Sequence, residues 1–262
     1  VDVEPAALRR ARLVVAYDGR GFHGFAESAG GVRTVAGDLR QALATVAGSP
    51  VELVGAGRTD AGVHAWGQVV SVDLPAQLDL ADVARRVTRM CAPELVVRAA
   101  AWTDDGFSAR FSASWRHYRY DVLAGAVPVP ALAAHAWHVP HDLDLWAMQL
   151  ACDPIIGEHD FAAFCRRPKV AAGQDPPSLR RRVLLARWTR LATEYGDVLR
   201  FEIRANAFCH QMVRSLVGTM VDVGRGRIQA GEVRGILLRG DRAGAGAVAP
   251  PHGLTLWEVG YP

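Results

Sequence analysis

The chain runs twice through one order of apolar runs, helical periods and turn signals, and that order limits the folds open to it. Arg12 to Tyr17 reads as a short strand and Thr34 to Ala47 as a helix, with Thr34 as N-cap and Gly48 as its stop. Val51 to Val54 and Trp66 to Leu74 read as strands, Asp79 to Met90 as a second capped helix, and Glu94 to Ala101 as a further strand. The second half gives a strand at Trp115 to Leu123, a helix at Leu143 to Cys152, and a hairpin of Arg182 to Leu191 with Val198 to Ala205 across Glu194 to Asp197. A long helix at Phe208 to Val223, ended by Gly224, a short one near Gly231 to Arg239 and a closing strand at Leu254 to Val259 complete it. Each half thus has the β-α-β-β-α-β order of a ferredoxin-like unit. The expected fold is α+β, two such halves forming a largely antiparallel sheet with a central cleft. The expected domains are residues 1–105 and 106–262, with the boundary near Thr103 to Ser112.

Composition narrows the class. Of 262 residues, 50% are hydrophobic, which places the chain among globular proteins and not disordered ones. No apolar run approaches the ~20 residues of a membrane helix, and the first residues lack the basic and apolar regions of a secretory signal. The expected location is cytoplasmic. Cys91, Cys152, Cys165 and Cys209 form no C-x-x-C pair, so they are expected to be free thiols, with no metal site and no disulfide framework. Lys169 is the only lysine, so the positive charge is almost all guanidinium, which suits bidentate phosphate contacts and stacking on bases.

The run Gly55-Ala-Gly-Arg-Thr-Asp-Ala-Gly-Val-His64 sets one carboxylate, Asp60, in a glycine loop. Three readings compete: a turn former, a neighbour of a phosphate loop, and a nucleophile. The phosphate-loop reading fails, because the third glycine is misplaced and the loop leads into a strand, leaving no helix N-terminus to hold a pyrophosphate. No Gly-Lys-Ser/Thr, Gly-x-Ser-x-Gly or His-Glu-x-x-His motif occurs. A carboxylate is a competent nucleophile toward an anomeric carbon or an activated ring, and a nearby guanidinium keeps it ionised and oriented. Arg58 is close in sequence. Arg214 sits with His210 at an i, i+4 spacing beside the apolar stripe Phe208, Met212, Leu216, Met220; it is either a surface arginine or a partner for the carboxylate.

Two further segments carry basic and aromatic residues. Along Ala109 to Tyr120, alternation puts Arg116, Tyr118 and Tyr120 on one strand face and His117 and Arg119 on the other. Such interleaving fits phosphate contacts plus base stacking, and equally an aromatic core. Arg166 to Arg182 holds five arginines and Lys169 among prolines and reads as a surface loop.

Together these segments resemble the TruA-type tRNA pseudouridine synthase family. The matching stretches are Gly57-Arg-Thr-Asp-Ala-Gly-Val-His64, Ala109-Arg-Phe-Ser-Ala113 with His117-Tyr-Arg-Tyr120, Asn206-Ala-Phe-Cys-His-Gln-Met-Val-Arg214 with Val217-Gly218, and Gly253-Leu254 before Val259-Gly-Tyr-Pro262. The resemblance implies the pseudouridine synthase fold and isomerisation of uridine to pseudouridine at positions 38, 39 and 40 of the tRNA anticodon stem-loop. It further implies a homodimer gripping one tRNA, with no metal and no organic cofactor. It casts Asp60 as the catalytic aspartate, Tyr118 as the tyrosine packing on the uracil, Arg214 as the aspartate's basic partner and Leu254 as an apolar wall of the base pocket. Arg58 joins these as a substrate-binding residue, and Arg110, Arg116, Arg166, Arg167 and Lys169 become RNA-binding residues, with the 166–182 segment an RNA-facing arm. The chain departs from the family at Gly24-Phe25, where a Gly-Trp pair is common, and at Arg89-Met-Cys-Ala-Pro93, where an Asn and Leu-Pro pattern is common. Two rival readings are a carboxylate-dependent glycosidase, which needs a second acid near Asp60, and a non-catalytic RNA-binding module.

Overall fold

Alternation decides the first strand, β1 (Leu8–Tyr17): Ala11, Leu13 and Val15 are buried, whereas Arg10, Arg12 and Val14 between them are only partly covered. The computed structural model describes residues 7–27, 30–167, 170 and 174–262. The chain divides into two compact units, one of Val1–Ser114 with Leu256–Pro262, the other of Trp115–Thr255.

In the first unit, β1 is followed by α1 (Val35–Ala47), β2 (Leu53–Gly55), β3 (His64–Pro75), α2 (Leu80–Cys91) and β4 (Leu95–Trp102). The caps are those expected. The Thr34 side chain accepts from the Gly37 N–H, and Gly48 ends α1 at φ 75°, a left-handed conformation that glycine takes at little cost. Asp79 caps α2 by accepting from the Ala81 N–H. β1 pairs antiparallel with both β3 and β4, so Leu13 lies between Val70 and Ala100. The strand order is β4-β1-β3-β10, with β2 added to β3; β10 is the closing strand Leu254–Gly260.

The second unit contains β5 (Trp115–Ala124), β6 (Trp137–Val139), α3 (Leu145–Leu150), β7 (Gly157–Asp160), β8 (Arg180–Thr193), β9 (Gly196–Ala205), α4 (Met212–Gly224) and α5 (Glu232–Arg239). Its strands run in the order β5-β9-β8-β7, antiparallel throughout, with β6 added parallel to β5. Tyr118 opposes Ile203 and Tyr120 opposes Phe201, so one face of this sheet is aromatic and aliphatic. On the other face the buried Glu202 carboxylate accepts from Arg187 at 2.8 Å and from Arg119 at 3.0 Å.

Three expectations are corrected. The helix expected from Phe208 starts at Met212, because Gln211 adopts φ 65° and breaks the helical path before it. His210 therefore precedes the helix that carries Arg214. Met212, Leu216 and Met220 of the apolar stripe are buried, among eleven buried residues of this helix. The arginine-rich loop ends at Leu179, with Arg180, Arg181 and Arg182 in β8. Finally, Cys165 and Cys209 are not free thiols but are joined as a disulfide across 44 residues, with Cα atoms 5.8 Å apart. The fold brings Cys209 to Cys165 where the Arg166 N–H donates to the His210 carbonyl, a proximity no sequence spacing discloses. Cys91 and Cys152 are free.

Among the described residues no helix is long and apolar enough to cross a membrane, and no group of three His, Cys, Asp or Glu side chains is placed to hold a metal ion.

Candidate active site

The loop between β2 and β3 is held from beneath by buried polar groups. The hydroxyl of Tyr17, at the end of β1, lies 2.8 Å from that of Thr59. The fully buried Gln68 of β3 donates to the Gly57 carbonyl at 2.8 Å. The Phe25 N–H donates to the Thr59 carbonyl at 3.1 Å, and the Val63 N–H closes the turn on the Asp60 carbonyl at 3.1 Å. Residues 57 and 59 are thus tied to β3, to β1 and to Phe25, and residue 60 closes the turn itself. Thr59 is buried, Asp60 half-buried and Arg58 exposed, on a loop with a fixed base.

Two glycines permit this approach. A Cβ on Gly55 would lie 2.3 Å from the Phe25 ring, and one on Gly24, which has φ +99°, would lie 2.9 Å from the Thr59 carbonyl oxygen. The loop's far end is fixed at the buried His64, whose Nδ1 lies 3.2 Å from both the Gly19 nitrogen and Asp18 Oδ1. Hydrogen bonds from Arg20 hold the Asp18 carboxyl down at about 2. Burial pushes the Tyr17 hydroxyl up to about 12, so it remains a neutral hydrogen-bonding group around neutral pH.

The second unit assembles Tyr118, Arg214 and Leu254. Tyr118, on β5, is nearly buried and meets the Phe208 ring edge-on, with centroids 5.0 Å apart. Arg214, in the first turn of α4, is fixed twice by one residue: its Nε donates to the Ala249 carbonyl at 2.8 Å, and the Ala249 N–H donates to the Arg214 carbonyl at 3.1 Å. The segment bearing Ala249 reaches α4 because Gly218 has no side chain. A Cβ there would sit 1.7 Å from the Ala247 carbonyl oxygen. Beyond it, the Tyr120 hydroxyl donates to the Pro250 carbonyl at 2.8 Å. Gly253 packs where a Cβ would be 2.6 Å from the Tyr120 ring, and the buried Leu254 follows. Burial pushes the Tyr120 hydroxyl far above its usual range, and the Arg214 charge acts in the opposite sense. The arginine is therefore near the strand that bears Tyr118.

The basic residues are distributed over both units. Arg110 is exposed in the first unit, 5.2 Å from the ring of the protruding Phe111. Arg116, on β5, donates to the Asn206 carbonyl at 2.9 Å, and Arg166 and Arg167 are exposed. Lys169 lies outside the described residues. Sequence reasoning missed the support of the Asp60 loop. A tyrosine closing an apolar strand reads as core, and the signal for Gln68 was an amide inside a mostly apolar strand.

Comparison with known proteins defines the class first: residues 151–262 match the family model described as tRNA pseudouridine synthase. Full-length relatives then fix the family. The chain is 45% identical to "tRNA pseudouridine synthase A" of Frankia casuarinae over 97% of its own length and 90% of the relative's. It is 41% identical to the protein of that name from Streptomyces avermitilis, over 100% and 90%. For the Methylobacterium sp. protein of that name the figures are 42%, 97% and 98%. The chain belongs to the tRNA pseudouridine synthase A family, whose members are isomerases.

Proposed function

We propose that this chain converts uridine to pseudouridine at positions 38, 39 and 40 of the tRNA anticodon stem-loop, with Asp60 as the catalytic residue. The observation that supports the role of Asp60 is the fixing of its loop through Gly57, Thr59 and His64, which sets a half-buried carboxylate on a rigid turn. The target nucleotide must leave the stack first, because its glycosidic bond is unreachable within the helix. Asp60 then promotes cleavage of the C1′–N1 bond. The uracil turns, C5 bonds to C1′, and the C5 proton is lost while N1 gains one, so the product is an isomer and no co-reactant is consumed.

Tyr118 packs on the uracil, Leu254 forms an apolar wall that keeps water from the detached base, and Arg214 and Arg58 supply positive charge to the carboxylate and substrate. Arg110, Arg116, Arg166, Arg167 and Lys169 contact the RNA. In this reading residues 1–105 deliver the aspartate and residues 106–262 the base platform, as two ferredoxin-like halves. The enzyme works in the cytoplasm as a homodimer on one tRNA, without metal or organic cofactor.

The test is carbodiimide labelling and primer extension on an unmodified tRNA transcript carrying uridines at 38, 39 and 40. Stops at those positions after incubation with the protein are expected; a transcript left unlabelled there contradicts the assignment.

A further inference from the structure

The arginine-rich segment begins beside the turn 206–210. At its start the Arg166 N–H donates to the His210 carbonyl at 2.9 Å. Three residues past its end, within β8, the Asn206 N–H donates to the Arg182 carbonyl at 3.1 Å, and the Arg182 N–H donates to Asn206 Oδ1 at 2.9 Å. The turn 206–210 therefore holds the start of the segment and the strand β8 that follows it, and it runs directly into the helix that carries Arg214. The bond between Cys165 and Cys209 lies across this grip, at the residue before Arg166 and the residue before His210.

We propose that Cys165 and Cys209 form a reversible thiol–disulfide modification site, a clasp whose closure by small-molecule disulfides strengthens tRNA binding by fixing the root of the 166–179 arm. The effect on tRNA rests on the reading of that arm as an RNA contact; the bond itself does not. A Cα separation of 5.8 Å falls within the range that a disulfide spans without moving the backbone. The two sulfurs differ in access: Cys165 is 3% exposed, whereas Cys209 is partly open to solvent. That difference sets the order of events. The Cys209 thiolate attacks a sulfur of oxidised glutathione and expels one glutathione thiolate. The Cys165 thiolate then attacks the Cys209 sulfur and expels the second. Two protein thiols lose two protons and two electrons, and one glutathione disulfide becomes two thiols. Cys91 and Cys152 are free thiols, and Cys152 is fully buried.

With the clasp open, the arm's root is held by backbone and amide hydrogen bonds alone, and binding tRNA must order it further. Closure makes that ordering unnecessary and raises affinity without touching the chemical step.

The experiment compares the full chain reduced by dithiothreitol with the chain equilibrated in oxidised glutathione, alongside Cys165→Ala and Cys209→Ala. Alkylation and peptide mapping read the bond, and filter binding of tRNA reads affinity. We expect a linked Cys165–Cys209 peptide only in the oxidised wild type, a Kd about three- to tenfold lower than in the reduced form, unchanged kcat, and no redox response in either variant. No linked peptide, or a linked protein with the Kd of the reduced one, overturns the clasp. Arg166→Ala and Arg167→Ala separate the two claims. If the bond forms yet both variants bind tRNA as the wild type does, the arm reading has failed and not the thiol chemistry. Neither readout depends on Asp60.

Discussion

The hydroxyls of Tyr17 and Thr59 lie 2.8 Å apart in the protein interior, one residue before the carboxylate assigned to catalysis. The contact joins the end of β1 to the loop after β2, and it makes the position of Asp60 depend on a residue 43 positions earlier in the chain. Tyr17→Phe keeps the ring and leaves the Thr59 hydroxyl without this partner. Chemical denaturation is expected to show a loss of about 1–2 kcal/mol. Turnover falls about tenfold with KM little changed, since the loop is loosened and not removed. The tyrosine also has a pH signature. Its ionisation lies near 10.0 unfolded and at about 12 folded, so its contribution is complete below pH 10 and is lost as pH rises toward 12. In Tyr17→Phe the alkaline fall in stability is shallower over that window; an identical fall in both proteins contradicts the assignment.

Gly55 is needed for space. Gly55→Ala drives a Cβ to 2.3 Å from the Phe25 ring, and the Phe25 backbone is what holds the Thr59 carbonyl. A loss of about 1–3 kcal/mol is expected, with activity falling more than the unfolded fraction explains. Thermal melts paired with rate measurements below the transition check this.

Arg214 is anchored through Nε and its own carbonyl to Ala249, which leaves its charge in a defined place. Arg214→Ala should lower turnover by about a hundredfold or more while tRNA affinity changes by less than about threefold. Single-turnover kinetics and filter binding read the two separately. Unchanged turnover removes Arg214 from the reaction.

Arg166 and Arg167 are exposed at the base of the arm. If each meets a phosphate, each Ala replacement lowers the slope of log K against log salt by about 0.7–0.9 and weakens different tRNAs alike. A titration across ionic strength at fixed pH measures it. A slope equal to the wild type's returns these residues to bare surface.

What could be read from the sequence follows the range of each interaction. Thr34, Gly48 and Asp79 announced their helix ends because capping is decided within three residues. The hairpin of β8 and β9 was legible for the same reason, since a short polar turn separates two alternating runs. Asp60 stood out only as the carboxylate of a glycine loop, and the family resemblance, not periodicity, gave it a role. Three features escaped. The start of α4 was misplaced by four residues because nothing in Phe208 to Gln211 signals a left-handed glutamine. β6 and β7, with three and four residues, are too short to show a period. The Cys165–Cys209 pair and the Tyr17–Thr59 contact join residues more than forty positions apart, and such pairings come from the packed fold alone.

The central claim is that Asp60 performs the isomerisation, and one measurement addresses it directly: tritium release from tRNA labelled at C5 of uridine, with wild type and with Asp60→Asn. Asp60→Asn keeps the side chain's size, and its fold and tRNA affinity are checked on the same preparation. The account predicts release by the wild type and none above background by Asp60→Asn. Equal release by both proteins, or none by either, would contradict it.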